Sequence, residues 1–301
     1  MLNQKLMQRK AGFSLVEISI VVLILGIMLA GIFNYNNFVL KASLVSAKKI
    51  TKSSTILRIE DLAFWLDATA QNSFKPDELV NTAFLSDISD KQTIGWWQDV
   101  NLQRVYPARL NFISSNLANR PKYLVSAINN LPALYFDGND FLRIENLPTT
   151  AIASENEITI FVVQNVTKGA LNTVTINSSI DGIVERVILH AYWSNGIFFD
   201  FGSWYSGGRI SKLDYPVNSY LNKPQVISAI KNSSSSSVYI NSKLEFEANT
   251  TSVLNTSLNR YLEIGISFDG HIGEILIYNR ALRVKERMLI EQYLMKKWKI
   301  K

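Results

Sequence analysis

The sequence contains no cysteine and only two histidines, His190 and His271. No disulfide can form, so burial of apolar side chains must hold any folded part together. The same shortage excludes a zinc site built from cysteine and histidine, and no glycine-rich phosphate-binding loop is present. The net charge of +6 is modest for 301 residues. Its basic residues lie mainly near the two ends and between Lys41 and Arg58, a distribution that does not indicate nucleic-acid binding.

One long apolar segment stands out at residues 13–33. Its 21 residues would extend roughly 31 Å as a helix, which is the thickness of a bilayer core. The residues before it carry Lys5, Arg9 and Lys10 and no acid. By the positive-inside rule, this pattern predicts an inner-membrane helix with a cytoplasmic N-terminus and all later residues on the other side.

Glu17 interrupts this apolar segment one turn after its start. An ordinary signal peptide would end in small residues at a cleavage site, and an ordinary anchor would carry no acid at this depth. A charged side chain in a membrane interior costs about 2.5 to 3.5 kcal/mol, so it usually marks a partner or a function. The alternative is a plain anchor whose Glu17 reaches back to the membrane surface.

The stretch from Gly12 through Phe13 to Glu17 resembles the prepilin signature of type IV pilins and type II secretion pseudopilins. The resemblance implies that prepilin peptidase removes the leader 1–12 by cutting after Gly12, and that the new terminal residue Phe13 is N-methylated. Glycine suits this cut because it presents no side chain to the protease. In the family, the acid at the position of Glu17 pairs with the cationic amine of a neighbouring subunit, which would favour one axial register.

Residues 34–60 are predicted to extend the helix and then to form a linker. Many pilins have a proline in this helix, where the present chain has Asn34, and many carry a disulfide, which is absent here. Apolar residues recur at helical spacing among lysines, which indicates an amphipathic helix whose apolar face docks on the head. They are Phe38, Leu40, Leu44, Val45, Ala47 and Ile50.

Residues 61–301 change to an alternating pattern that is typical of strands. About ten segments separated by Asn, Gly, Ser and Pro predict a two-sheet β-sandwich, followed by a helix from Arg280 to Trp298. The predicted strands are Leu62 to Leu66, Ala133 to Phe136, Ile158 to Gln164, Arg186 to Tyr192, Ile197 to Phe201, Gln225 to Lys231, Ser237 to Ile240, Lys243 to Glu247, Tyr261 to Ile266 and Glu274 to Tyr278.

Several fragments of this region resemble the concanavalin A-like, laminin-G-type sandwich, namely 62–67, 97–99, 131–142 and 273–282. The resemblance implies a mainly β fold, with a jelly-roll head of antiparallel sheets behind the long N-terminal helix and a short C-terminal helix. Two departures occur. Asp99 is followed by Val100 instead of Ser-Gly, and the hairpin turn is Asn241-Ser242 instead of Asn-Gly.

Hydrolases on this scaffold need two carboxylates beside a glycosidic bond, usually from a Glu-x-Asp-x-x-Glu strand, and none is present. Glu245 and Glu247 lie two residues apart but read better as a solvated hairpin face. We therefore predict a protein without enzymatic activity.

Trp193, Trp204 and Tyr205 stand beside polar loop residues, and such rings can stack on sugars. The alternative, which we favour, is packing at the edge of the sandwich. Asp137 and Asp140 offer oxygen ligands for calcium, although hydrogen bonds within their own turn are the simpler interpretation. Calcium is the single cofactor that the sequence suggests.

The sequence thus predicts a pilin-like subunit, either a minor pilin or a pseudopilin. Its partners would be prepilin peptidase, other pilin subunits and the inner membrane, and it would end in a pilus or pseudopilus with the head in the periplasm or outside the cell. The alternative is an adhesin that uses the helix for export and anchoring and binds glycan through its head.

Overall fold

The computed structural model describes residues 14–76, 88–103, 110–169, 173–180, 184–193, 196–205, 207–214 and 216–301. The chain divides into two compact units, which meet in the sequence at Ala42 and Ser43. The leader, Gly12 and Phe13 lie outside the described residues.

The first helix, α1, covers Leu15–Lys52. It begins where Ser14 and Glu17 form reciprocal hydrogen bonds, the capping box that a Ser-x-x-Glu sequence favours. Among the described residues, no helix is both long enough and apolar enough to span a bilayer.

The remaining described residues form 18 strands and a second helix, α2. In chain order the strands are β1 Leu62–Asp67, β2 Phe74–Lys75, β3 Gln92–Thr93, β4 Trp96–Gln98, β5 Asn111–Ile113, β6 Lys122–Ile128, β7 Leu131–Asp137, β8 Leu142–Pro148, β9 Ile158–Lys168, β10 Ile176–Ser178, β11 Val184–Trp193, β12 Gly196–Ser203, β13 Arg209–Lys212, β14 Gln225–Lys231, β15 Ser235–Ile240, β16 Lys243–Asn249, β17 Asn259–Ile264 and β18 Asp269–Tyr278, and α2 is Val284–Trp298.

These strands make two antiparallel sheets of nine strands each, which confirms the predicted sandwich. Sheet A has the order β16-β15-β14-β9-β18-β7-β6-β3, and β1 also pairs with β18. Sheet B has the order β13-β12-β11-β10-β17-β8-β5-β4-β2. One large cluster of buried aliphatic and aromatic side chains forms the core, which supplies the burial that a chain without disulfides requires.

Tight turns set the register of two hairpins in sheet A. Asn129 and Asn130 join β6 to β7, and Asn241 and Ser242 join β15 to β16, all with φ between 48° and 68°. This left-handed backbone is what a two-residue type I′ turn needs, and asparagine tolerates it better than most residues do. The replacement of glycine by Ser242 therefore leaves the hairpin intact, as predicted.

Helix α2 lies on sheet A, and a buried charged network anchors it. Lys297 donates to Asp67 of β1 at 2.7 Å and lies 2.8 Å from Glu274 of β18. The Glu274 carboxylate also accepts hydrogen bonds from Tyr293 and from the indoles of Trp65 and Trp298, at 2.7 to 2.8 Å. Four donors thus replace the water that burial removes from this acid.

The last turns of α1 pack on this same unit. Ser43 accepts a hydrogen bond from Lys299, and Thr51 lies 3.1 Å from the Tyr293 hydroxyl. Ala47 is buried, as the amphipathic pattern predicts, but Val45 is 67% exposed, so the buried face is narrower than the sequence indicated.

Two predicted elements extend past the observed ones. Strand β17 ends at Ile264 and not at Ile266, because Gly265 has a φ of 85° and lies so close to the Phe136 ring that a Cβ would meet it at 2.2 Å. Helix α2 begins at Val284 and not at Arg280. The Glu286 carboxylate reaches back to the backbone N–H of Arg283 at 2.9 Å, which fixes the helix start there.

Candidate functional sites

The described part of the N-terminal motif, Ser14 to Glu17, lies at the start of α1. The Glu17 carboxylate accepts the backbone N–H of Ser14 at 2.8 Å, and the Ser14 hydroxyl accepts the backbone N–H of Glu17 at 3.1 Å. The large apolar side chains of the next four turns, from Leu15 to Leu29, are 50–86% exposed. A helix that is apolar on all sides needs a partner around it, either lipid or other helices.

Trp193 owes its position to a β-bulge in β11. In a regular strand, the side chains of His190 and Trp193 would lie on opposite faces of the sheet. Here the register with β12 shifts between these two residues, and Tyr192 has a φ of 66°. Tyr192 turns into the core, where it donates to Gln225 of sheet A. The Trp193 ring consequently lies 4.8 Å from the His190 ring, on the outer face of sheet B.

Arg209 connects the two tryptophans that the sequence singled out. Its guanidinium carbon lies 5.4 Å from the Trp193 ring and 5.6 Å from the Trp204 ring. Trp204 and Tyr205 meet edge to face and are 43% and 57% exposed, whereas Trp193 is half-buried against Phe198. The structure thus packs Trp193 against the outer face of sheet B and leaves Trp204 and Tyr205 accessible. Residues 194, 195 and 206 of these two segments lie outside the described residues.

Asp200 forms ion pairs with the arginine side chains beside the aromatic rings. Its buried carboxylate accepts two hydrogen bonds from Arg209, at 2.6 and 2.7 Å, and one from Arg186 at 2.5 Å. His190 lies 4.0 Å from the same carboxylate. Burial lowers the pKa of His190 to about 4, against the opposing effect of Asp200, so this histidine is neutral at physiological pH.

Asp137 and Asp140 bond within their own turn. Asp137 accepts the backbone N–H of Asn139 at 3.0 Å, and Asp140 accepts the backbone N–H of Asp137 at 3.1 Å. Burial raises the pKa of Asp140 to about 7. No group of three or more His, Asp or Glu side chains is arranged to hold a metal ion within the described ranges. The two hydrogen bonds agree with the turn interpretation, and calcium binding stays a prediction.

Glu245 and Glu247 are each engaged by a neighbouring side chain. Glu245 pairs with Lys212 of β13 at 3.0 Å, and Glu247 accepts from Ser235 of β15 at 3.3 Å. These contacts match a structural hairpin face better than a catalytic pair.

The sequence did not single out a groove of about 530 Å³ on sheet B, which we call the β5–β8 groove. Arg143 lines the groove and donates to Glu263 of β17 at 2.7 Å and to Glu145 at 3.0 Å. The side chains that line the groove are Leu110, Asn111, Ile113, Ser114, Ser115, Asn116, Phe141, Arg143, Ile144 and Glu145. The spacing of Arg143 and Glu145 along β8 indicated that they share a face of the sheet. The other partner of Arg143, Glu263 on β17, lies 120 residues away in the sequence.

The comparison with protein families finds one match. The model of the prokaryotic N-terminal methylation motif matches residues 7–33. This match supports the resemblance to type IV prepilins for the N-terminal part of the chain. No curated protein matches the chain.

Several solved structures are similar to this chain at low sequence identity. Domain 4 of AbnA, an extracellular arabinanase from Geobacillus stearothermophilus in complex with arabinotriose, has 18% identity and a TM-score of 0.43 over 57% of this chain and 80% of that one. A Trypanosoma rangeli sialidase has 13% identity and a TM-score of 0.49 over 79% of this chain. The receptor binding domain of botulinum neurotoxin D has 15% identity and a TM-score of 0.44 over 63% of this chain.

The chain spans 33% of the sialidase and 51% of the neurotoxin domain. Likenesses of this strength carry no argument about what the head binds, because one sandwich architecture hosts unrelated functions.

Proposed function

We propose that this chain is a pilin-like subunit, a minor pilin or a pseudopilin, that assembles into a filament through α1 and displays the sandwich as an interaction domain. Prepilin peptidase removes residues 1–12, and Phe13 is then methylated. The subunit waits in the inner membrane before assembly and afterwards belongs to a pilus or pseudopilus. The match of the methylation motif at residues 7–33 is the observation that carries the proposal.

The geometry of α1 supports this role. Its apolar side chains are exposed around the whole helix from Leu15 to Leu29, so they are available to lipid first and to neighbouring helices later. Glu17 is the one acid in that stretch. Its capping bonds to Ser14 satisfy the carboxylate in the isolated subunit. In the filament, the cationic amine of a neighbouring Phe13 would replace them with a charge pair.

Replacing Glu17 by alanine tests this assembly role. The variant should be processed and membrane-associated like the wild type, whereas its incorporation into sheared filaments should fall at least about tenfold, which corresponds to 1.4 kcal/mol. Ser14→Ala is the matched control, because it removes half of the capping box, worth about 1 kcal/mol of helix stability, and keeps the carboxylate. Equal incorporation of Glu17→Ala and wild type would contradict the role of Glu17.

Processing is tested separately at Gly12. Substitution by valine should block leader removal, because a side chain then stands at the cut. Intact-mass measurement should show the mature wild type without residues 1–12 and with one added methyl group, and the variant at its full mass. A variant of mature mass would refute the peptidase assignment.

The head is proposed to be non-catalytic. Glu145 and Glu263 both bind the same Arg143 guanidinium, and Glu245 is paired with Lys212. None of these acids is placed as the unpaired general acid that glycoside hydrolysis requires. Release of reducing sugar from glycan substrates by the purified chain would contradict this.

A second candidate function is that of an adhesin that binds glycan through Trp204 and Tyr205. The exposed pair of rings beside Arg209 favours it, because such rings stack on sugar faces. Glycan-array binding by the full-length chain in detergent, with and without calcium, should then be lost in Trp204→Ala. Binding that survives this substitution would exclude the Trp204 surface.

A further inference from the structure

We propose that the head contacts anionic phospholipid headgroups through a group of exposed lysines on its helices, which we call the lysine surface. The inference rests on the proposed function, which puts the apolar part of α1 in a membrane before assembly. Residues 43–52 of α1 belong to the same compact unit as α2 and the two sheets. The lysine surface consists of Lys48, Lys49, Lys52, Lys285, Lys296 and Lys299.

Tertiary structure brings two basic segments of the sequence together. Lys299 donates to the Ser43 hydroxyl at 3.0 Å, and the Thr51 hydroxyl lies 3.1 Å from that of Tyr293. The contacts on the C-terminal segment thus run backwards as α1 advances, so the end of α1 and α2 lie antiparallel. The paired residues are 256 and 242 positions apart in the sequence. The basic segments therefore form one surface only in the folded head.

The acids on these two helices are already engaged by other side chains. Residues 43–52 contain no acid at all. In α2, Glu286 binds Arg280 and Arg283, and Glu291 binds Arg287. Within the part of the chain that the structure describes, no member of the lysine surface forms an ion pair with a carboxylate. Its positive charges are therefore available to an anionic partner.

Apolar side chains are exposed beside these lysines. Val284, Met288 and Leu289 of α2 are 64%, 44% and 47% exposed. Lys285 and Lys296 are exposed on the same helix, so apolar and basic side chains share its solvent side. This combination suits the boundary between headgroups and acyl chains, because lysine binds the phosphate there and the apolar side chains leave water.

The apolar side chains favour lipid over nucleic acid. Proteins bind single-stranded nucleic acid by stacking bases on aromatic rings, and they bind duplexes mainly through polar contacts to phosphate and sugar. No aromatic side chain is exposed in residues 43–52 or in α2, all of which the structure describes. Val284, Met288 and Leu289 would gain nothing from a phosphate backbone, whereas a bilayer surface accommodates them.

Attachment through α1 makes a weak lipid contact sufficient. Each lysine near an anionic bilayer strengthens binding about fivefold. Because the same chain already holds the head at the membrane, the contact is intramolecular and its effective concentration is high. The lysine surface would thus dock the head on the membrane before assembly, and the subunit would leave this contact when it enters a filament.

A single fluorescent label on α2 tests the contact. The chain has no cysteine, so Gln292→Cys, at an exposed position between Met288 and Lys296, accepts one polarity-sensitive dye. The labelled full-length chain is reconstituted in vesicles of phosphatidylcholine, or of an equal mixture with phosphatidylglycerol, that carry nitroxide quenchers on their headgroups. The dye should be quenched much more in the anionic vesicles. Salt at about 1 M should remove the difference, because it shortens the screening length to about 3 Å.

A triple substitution measures the share of the lysines. Lys48→Gln, Lys49→Gln and Lys52→Gln together should lower the ratio of docked to undocked heads about a hundredfold, which is three factors of five. Quenching in the anionic vesicles should then fall to its level in the neutral ones. The matched control makes the same change at three exposed lysines outside the two helices, namely Lys122, Lys168 and Lys223. It should keep full quenching, and circular dichroism confirms that each variant is folded.

Several outcomes overturn the proposal. They are equal quenching in neutral and anionic vesicles, undiminished quenching in the triple variant, and an equal loss in the control variant. A dye response to duplex DNA or to polyglutamate, with none to the anionic vesicles, overturns it as well and assigns the surface to nucleic acid or to an acidic protein. Flotation with phosphatidylcholine vesicles reports the attachment of α1 alone. Failure to float there contradicts the proposed function, and the dye response to added anionic vesicles still decides the lysine surface.

Discussion

Replacing Lys297 by methionine should destabilise the head strongly. Lys297 is 1% exposed and binds the carboxylates of Asp67 and Glu274, which are 2% and 0% exposed. Methionine keeps the length of the side chain but leaves two acids in the interior without a cation. Breaking a buried ion pair from one side costs about 3–5 kcal/mol. For a domain of this size, that lowers the melting temperature by on the order of 10 °C.

The loss should depend on pH in a defined direction. Burial raises the pKa of Glu274, and Lys297 opposes that rise. In the variant the opposing effect is gone, so the folded state favours the protonated acid more strongly. A group whose pKa is raised by folding stabilises the fold below its unfolded pKa of about 4.3, and this contribution is lost as pH rises. The stability difference between wild type and Lys297→Met should therefore widen from pH 5 to pH 8.

Urea unfolding of the full-length chain in detergent, followed by tryptophan fluorescence, measures this difference. Trp65 and Trp298 report directly, because both indoles donate to Glu274. Lys296→Met is the matched control, since it makes the same chemical change at the exposed neighbouring position of α2 and should cost less than about 0.5 kcal/mol. Equal losses in the two variants, or a Lys297→Met loss that is constant across pH, would refute the account of the buried network.

Three further outcomes are expected. The stability of the wild type relative to Asp140→Asn should fall as pH rises from about 4 through 7, because burial raises the pKa of Asp140 to about 7; parallel pH profiles from urea titrations would contradict this. Ser242→Gly should raise the free energy of unfolding by about 0.4–1 kcal/mol, because the φ of 68° there suits glycine better; an unchanged or lower urea midpoint would count against a strained turn. Gly273→Ala should cost about 1–3 kcal/mol, since a Cβ would lie 2.5 Å from the Trp298 ring, and a melting temperature equal to that of the wild type would show that the ring moves aside at no cost.

The sequence alone determined the features that local patterns encode. The methylation motif is contiguous, and Ser14 and Glu17 are spaced as a capping box, so both follow from neighbouring residues. Strand β14 was predicted at its observed place, and its bounds Gln225 and Lys231 agree with the structure. The hairpin at Asn241 also follows from local backbone preference.

Tertiary structure alone decided what lies next to what. Glu263 joins Arg143 from 120 residues away, and no local period encodes which strands of a sandwich become neighbours. Because of the bulge at Tyr192, Trp193 lies on the same face of sheet B as His190. Regular alternation would have placed it on the opposite face. Sequence patterns determine which residues enter strands, because they depend on each residue's own neighbours. Strand order and bulges depend on the packing of the whole core. The β5–β8 groove exists because strand order places β5 beside β8.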